Sequence, residues 1–320
     1  MSIKIFGCGG TGLNILKHYL QKGAFKNDFE YIGMDTSDRN LFEDERLVIE
    51  LVPNAHGSGG DVGFNSDKYP AFINKVLTQH GHGDLNIIVY SGSGGTGPSM
   101  GPTLHRALLE KEANVISMII GDMSNINGAT NTVRALLNLN DHTETGHPVI
   151  YSYRENGKGK TEGQVNDDVC AVIDVLRVLL STENQRIDAM DIHHLFFYNN
   201  VVKATPILSC LEIIANDNAE SYDKNAVAAI SLFDNEDNVR STFPNLLYNK
   251  AGIFAPRFSN PQFREIHAVL DHGDSVIALK EMLEKQRRVN AEINDKYQST
   301  SDLQTPPVTE RKGSFTKYDI

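Results

Sequence analysis

The stretch SGSGGTGPSMG, Ser91 to Gly101, follows the apolar run Asn86-Ile87-Ile88-Val89-Tyr90 and decides how the chain is read. A buried strand that breaks into a small-residue loop and then a helix is how proteins build phosphate cradles. Glycine lets backbone N–H groups converge with no Cβ in the way, and the following helix presents unpaired N–H groups to an anion. A second such loop stands near the amino end: GCGGTGLN, Gly7 to Asn14, between a short strand Ile3–Phe6 and a helical pattern on Leu13, Leu16 and Leu20.

Around these loops, apolar runs predict strands at Tyr31–Met34, Leu47–Leu51, Asn86–Tyr90, Val115–Ile120 and Val149–Tyr153. Helical patterns fall between them at Leu13–Gln21, Asp67–Leu77, Thr103–Lys111 and Thr132–Leu139, with Pro70 suited to a first turn. Strand and helix in alternation imply an α/β fold: a Rossmann-like parallel sheet covered by helices, with ligands at the carboxyl ends of its strands. Both glycine loops lie at such ends. From Asn166, Val169, Val172, Ile173, Leu176, Leu179 and Leu180 recur at helical spacing through Ser181.

The expected organisation is a nucleotide-binding domain over 1–165, a central helix and polar loop over 166–191, and a smaller α+β domain over 192–273. A terminal helix over 274–297 and a Ser/Thr/Pro-rich flexible tail over 298–320 complete it. In the second domain, strands are expected at Leu195–Tyr198, Ala228–Phe233, Gly252–Ala255 and Ala268–Leu270, with a helix around Pro206–Ile214.

Gly7, Gly9 and Gly12 alone match the G-x-G-x-x-G of a dinucleotide fold. Asp35 ends the second strand about 20 positions later, where an NAD-dependent oxidoreductase would hold a ribose. Such an enzyme has no use for Gly92, Gly94, Gly95, Thr96 and Gly97 at the fourth strand. A nucleoside triphosphate does, because its β- and γ-phosphates need donors from more than one side. No Lys-Ser or Lys-Thr pair follows these glycines, so this is not a Walker loop.

GCGGTGLN resembles the first nucleotide loop of the tubulin/FtsZ family, and Ser93 to Ser99, SGGTGPS, resembles that family's GGGTG[ST]G signature. The resemblance implies a GTP/GDP site with Mg²⁺ bridging the phosphates. It places Gly9, Gly10, Thr11 and Asn14 in the first loop, Asp35 beside it, and Ser93, Gly94, Gly95, Thr96 and Gly97 in the second. HGSGG, His56 to Gly60, resembles the γ-phosphate loop, which brings in Gly59 and Gly60. Asn166 matches the family's guanine-reading asparagine; read from the residues alone, it is equally a helix N-cap. Asn156 resembles a second base or ribose contact. The ribose-contact Glu and Arg of bacterial members fall on Asn127 and Asn131, and the aromatic that stacks on guanine falls on Glu162.

RIDAMD, Arg186 to Asp191, resembles the family's synergy loop, whose acids meet the nucleotide of the next subunit. The resemblance makes Asp188 and Asp191 the catalytic pair; spacing alone also allows loop or N-cap carboxylates. The short chain, single terminal helix and tail resemble the bacteriophage-encoded branch (PhuZ-like), with the plasmid-partition branch (TubZ) as alternative. The implied protein is a GTPase that polymerises head-to-tail, in the cytoplasm of an infected bacterium, and positions phage DNA or capsids indirectly. Phe315, Tyr318 and Ile320 of the tail would then grip a neighbouring subunit. A nucleotide-binding scaffold without hydrolysis is a further reading.

The composition of the 320 residues agrees. A net charge of −11 argues against direct nucleic-acid binding. Cys8, Cys170 and Cys210 are scattered without C-x-x-C spacing, so neither a disulfide framework nor a resident metal centre is expected. No apolar run approaches the roughly 20 residues of a membrane span, and the chain starts on a strand rather than on a signal peptide.

Overall fold

Strands β1 (Ile3–Cys8), β2 (Glu30–Asp35) and β4 (Leu85–Ser91) are buried along nearly their whole length, whereas β3 (Leu47–Leu51) is partly exposed. With β5 (Val115–Asp122) and β6 (Val149–Asn156), they form a run of parallel strands in the order β3-β2-β1-β4-β5-β6. Continuous apolar runs, rather than alternating ones, are what strands covered on both faces require. The computed structural model describes residues 2–157, 159–181, 184–219, 222, 225–243, 245–255, 263–272 and 275–301.

The sheet continues into the second half through β7 (Leu208–Ala215), which pairs parallel to β6 at Val149↔Leu208, Ile150↔Ser209 and Tyr151↔Cys210. Beyond it come β10 (Glu265–Asp271), β8 (Ala226–Phe233) and the edge strand β9 (Tyr248–Ile253). Strand β10 runs antiparallel to both neighbours. The result is a mixed, mostly parallel sheet of ten strands among the described residues.

The helices are α1 (Gly9–Lys22), α2 (Tyr69–His80), α3 (Gly97–Leu109), α4 (Ile126–Asp141), α5 (Glu162–Leu180), α6 (Ala189–Phe196), α7 (Tyr198–Val201) and α8 (Ser275–Ser301). Helix α5 packs on α1, β6, β8 and β10 and so joins the two halves. It buries Val169, Ile173, Leu176, Leu179 and Leu180, each worth about 1.5–3 kcal/mol of apolar transfer. Polar ties reinforce its contact with α1. The Tyr19 hydroxyl donates to Asp174, and His18 Nε2 lies 2.6 Å from Asp167 Oδ1. Helix α8 packs along α4. Among the described residues no helix is long and apolar enough to cross a membrane. All three cysteines are buried and none forms a disulfide among the described residues.

Two elements differ from the sequence reading. Leu195–Tyr198 is not a strand but the end of α6 and the start of α7. A capping box at Asp188 starts that helix, and Ile192, Leu195 and Phe196 then fall on one buried stripe. The helix expected around Pro206–Ile214 is strand β7. It is held between β6 and β10, so tertiary pairing overrides an ambiguous short apolar run. Several helices also start earlier than expected: α1 at Gly9, α3 at Gly97 and α5 at Glu162. Helix α8 extends through Ser301, past the expected tail boundary; Phe315, Tyr318 and Ile320 lie outside the described residues.

A pair of buried histidines carries a pH dependence. His105 of α3 is fully buried, with Nδ1 2.9 Å from Ser117 Oγ and Nε2 unpartnered. His142, just past α4, lies 6.4 Å away ring to ring. Burial lowers both imidazoles. His142 drops to about 4, with Arg106 adding to the effect and Asp141 and Glu110 opposing it; His105 is lowered well below its ordinary value, with His142 adding to its burial. Both rings are neutral in the fold but protonate on unfolding below pH 6.5. The stability linked to them is complete above pH 6.5 and is lost as pH falls toward 4, by roughly 3 kcal/mol for His142. Urea unfolding at pH 7 and pH 4 is expected to show this loss, and His142→Gln to reduce it. An equal pH difference in the variant would exclude His142 as a source.

Candidate functional site

Because β1 and β4 are neighbours, the loops that follow them meet at the point where the strand order reverses, the usual ligand crevice of such sheets. Both loops run straight into helices, α1 from Gly9 and α3 from Gly97. Each helix therefore directs its unpaired N–H groups and the positive end of its dipole at the same space. That space is a cavity of about 230 Å³ lined by three segments besides the loops' own residues: Asp35–Ser37 with Asn40, Gly57–Gly60, and Ser91.

Glycine permits close approach here, most strictly at Gly97, which faces backbone. A Cβ on Gly9 would meet Gly97 N at 3.2 Å, and one on Gly10 would meet the Asn40 side-chain nitrogen at 2.4 Å. On Gly97 it would meet Ser91 O at 2.7 Å. Gly59 and Gly60 have φ of +56° and +83° with open space beside them, the left-handed backbone that glycine adopts without strain.

Of the residues singled out from the sequence, Gly9, Gly10, Thr11, Asp35, Gly59, Gly60, Gly94, Gly95, Thr96 and Gly97 line this cavity. Asn14, Ser93, Asn127, Asn156 and Asn166 do not. Asn14 is exposed on the second turn of α1, and Asn127 is exposed on the first turn of α4. Asn156 ends β6, paired in register with Asp122. Asn166 is half-buried in the second turn of α5. It is not the N-cap of that helix. Thr161 is, in a capping box with Gln164, so the helix opens at Glu162, which is exposed. Cys8, Gly57, Ser58 and Ser91 lie in the quoted loops without having been singled out, and the sequence reading missed Thr36, Ser37 and Asn40 altogether. Their signal was position: Thr36, Ser37 and Asn40 follow the carboxyl end of β2.

Hydroxyls tie the loops together. Ser91 Oγ accepts from the N–H groups of Ser93 (3.1 Å) and Gly94 (3.2 Å), so those two donors are spent inside the loop. Thr96 Oγ1 stands 2.8 Å from Thr36 Oγ1 and 3.0 Å from Ser58 Oγ, linking three lining segments.

No lysine or arginine lines the cavity, and its one charged group is Asp35. That carboxylate is 2% exposed; Oδ1 accepts from Thr36 N at 2.7 Å and Oδ2 is buried without a partner. Burial raises its pKa above the ordinary carboxylate value. A cradle of helix N-termini with a carboxylate in its floor and no cationic side chain among the described residues would suit a divalent cation beside an anionic ligand. Asp35 and the hydroxyls of Thr36, Ser58 and Thr96 are the groups suited to hold it or its waters.

The acid pair lies elsewhere. Asp188 is the N-cap of α6, its Oδ1 accepting from Met190 N and Asp191 N, both at 2.9 Å. Asp191 reciprocates, with Oδ2 accepting from Asp188 N at 3.1 Å. Its Oδ1 accepts from the Tyr248 hydroxyl at 2.8 Å and Lys250 Nζ at 3.0 Å. Burial alone would raise the Asp191 carboxyl, but Asp188 N–H, Lys250 and Tyr248 outweigh it and hold it below the usual range. Asp191 is thus a buried anchor, whereas Asp188 is exposed and its Oδ2 makes no hydrogen bond among the described residues.

This turn sits at the opposite edge of the sheet from the cradle. His193 Nδ1 of α6 is 3.1 Å from Asn114 Oδ1, and Asn114 Nδ2 donates to Asp84 O. Asn114 and Asp84 immediately precede β5 and β4, at the amino ends of the strands. Helix α5, about 28 Å long at 1.5 Å per residue, carries the chain from the carboxyl edge back to this one. One chain cannot bring its own Asp188 to its own cradle.

No family profile matches the chain. A curated relative, a phage tubulin-like protein of Pseudomonas phage phiKZ, is 26% identical over 94% of each chain. A solved structure of the phage tubulin PhuZ with GDP superposes with a TM-score of 0.83 at 19% identity, covering 98% of each chain. A protofilament of TubZ from bacteriophage PhiKZ gives 0.81 at 24% identity, covering 97% of this chain and 95% of that one. The fold is the tubulin/FtsZ fold of these neighbours. The family resemblance read from the two loops therefore extends along nearly the whole chain, and these relatives are phage proteins, as the short chain and single terminal helix suggested.

The α6 turn can be probed without any ligand. Tyr248→Phe is expected to cost about 1 kcal/mol and Asp191→Ala about 2 kcal/mol in urea unfolding, since the latter also removes half of the capping box. Asp188→Asn is expected to stay near neutral, because asparagine caps as well as aspartate. Equal losses for Asp188→Asn and Asp191→Ala would contradict this division.

Proposed function

We propose that this chain binds GTP in the two-loop cradle, hydrolyses it to GDP and phosphate, and polymerises head-to-tail into filaments. Each cradle is completed by the α6 turn of the next subunit. The observation that carries this reading is the placement of cradle and acid turn at opposite edges of one sheet. A site so divided works only when copies stack, and a contact between two unlike ends repeats without closing. The likeness to phage tubulins, among them a GDP complex and a protofilament, supports the nucleotide and the polymer.

In this reading the N–H groups at the starts of α1 and α3 hold the phosphates, and Mg²⁺ at Asp35 neutralises charge on them when bound. Asn166 and Asn156, near the carboxyl edge, read guanine; Asn127, on the first turn of α4, faces the ribose. Asp188 of the stacked neighbour orients a water for in-line attack on the γ-phosphorus and takes up its proton. The bond from that phosphorus to the bridging oxygen breaks, and GDP leaves with the electron pair. Asp191 serves by holding the turn. The filament would position phage DNA or particles in the host cytoplasm, with the tail gripping the neighbouring subunit.

Light scattering and phosphate release, followed with GTP, GDP and ATP across a protein titration, test the proposal. Turnover per subunit should rise steeply above a critical concentration with GTP only, and a concentration-independent turnover would refute the shared site. Asp188→Asn should assemble with GTP yet release phosphate about 100-fold more slowly. The cation is tested separately: Asp35→Asn should tighten GTP binding in EDTA about tenfold by removing a like charge, and flatten its Mg²⁺ dependence. Unchanged Mg²⁺ dependence in that variant would remove Asp35 from the cation site.

A further inference from the structure

Asn131 occupies a position where the sequence comparison expected a ribose-contact arginine, yet the structure turns it inward. It lies in α4, is 7% exposed, and does not line the cavity. Its Nδ2 faces three backbone carbonyls from two separate loops: Gly60 O at 3.2 Å, Ser93 O at 3.3 Å and Gly94 O at 3.1 Å. Two amide hydrogens shared among three converging acceptors make this nitrogen the electrostatic centre of the junction. Without a donor there, the carbonyl dipoles would repel one another.

Two further contacts hold the same junction. Thr96 Oγ1 reaches Ser58 Oγ, and the backbones press together at Gly95, where a Cβ would meet Ser58 Cβ at 2.8 Å, Gly60 N at 3.0 Å and Asp61 N at 3.1 Å. The fastened segment, Gly57–Gly60, is otherwise pliable. Three of its four residues are glycines with positive φ, and a Cβ on Gly59 or Gly60 would meet nothing within 4 Å.

We infer that Asn131 is a positioning residue that makes the cradle discriminate triphosphate from diphosphate, by latching the Gly57–Gly60 loop to the Ser93–Gly97 loop. This rests on the nucleotide reading of the cradle given above. A trans peptide points its C=O and N–H in opposite directions, so drawing Gly94 O toward α4 turns Gly95 N–H away from α4; Gly94 and Gly95 line the cavity and no residue of α4 does. The latch thereby presets donors that a glycine loop would otherwise have to order on binding, at an entropic cost. The resemblance assigns the Gly57–Gly60 loop to the third phosphate, so a triphosphate gains most from the latch.

Equilibrium titration of fluorescent GDP and of a fluorescent non-hydrolysable GTP analogue, below the assembly concentration, tests this. Asn131→Ala should weaken the triphosphate about tenfold and leave GDP within about twofold. Asn131→Asp keeps the size of the side chain but sets an acceptor against three carbonyls, and should lose at least as much triphosphate affinity. A merely space-filling asparagine would let that variant match the wild type, which would overturn the proposal. Equal weakening of both nucleotides would overturn it as well. Thr96→Val, acting on the second tie, should show the same selective loss, so the inference stays testable if an Asn131 variant fails to fold. If the wild-type chain binds neither nucleotide, the functional reading itself falls; if it binds both and the variants show no selectivity change, only the latch falls.

Discussion

The structure depends on a close approach that only glycine permits. Helix α1 starts so near β1 and β4 that a Cβ on Gly12 would lie 2.6 Å from Val89 O and 2.7 Å from Gly7 C. A Cβ on Gly7 would in turn press on Gly12 O and Leu16 at 2.8 Å. This packing of helix against sheet seats the amino end of α1 beside that of α3. Two helix dipoles then converge on one cavity, and the site needs no cationic side chain to be attractive to phosphate.

From that constraint the rest of the layout follows. The cavity holds a carboxylate, Asp35, where an anion site would be expected to avoid one, and this makes a divalent cation a natural companion of the ligand. The loops around it are fastened by Ser91, Thr96 and Asn131 rather than by salt bridges. Helix α5 then carries the chain across the molecule, tied to α1 through Asp167 and Asp174, and delivers the α6 turn to the far edge. A rigid helix sets the distance between the two ends of the subunit, so any chemistry that needs both ends becomes a property of a stack.

Sequence legibility followed the physics of each element. The central strands were readable because they are covered on both faces and show as unbroken apolar runs. Strand β7 was not, because a short apolar segment suits helix or strand equally until β6 and β10 claim its backbone. Leu195–Tyr198 failed for the opposite reason: its helix is set by a polar cap several residues earlier, at Asp188. In the site, the glycines and the hydroxyls inside the glycine loops, Thr11 and Thr96, were legible, whereas Thr36 and Ser37 outside them were not. A positive φ or a backbone contact closer than 3 Å strongly favours glycine, whereas serine and threonine occur anywhere on a surface.

By itself the sequence determined the phosphate cradle and the fold that carries it, since glycine-dense loops between a buried strand and a helix admit few other structures. It could not tell the dinucleotide strand order from this one, because β3-β2-β1-β4-β5-β6 serves both, and the second loop had to settle the matter. Only the tertiary structure decided the parts played by Asp188, Asp191 and Asn131. Each has several possible hydrogen-bond partners in a linear chain. The partners realised, Tyr248 and Lys250 for Asp191 and Gly60 with Gly94 for Asn131, come from segments more than thirty residues away that meet only when the sheet closes.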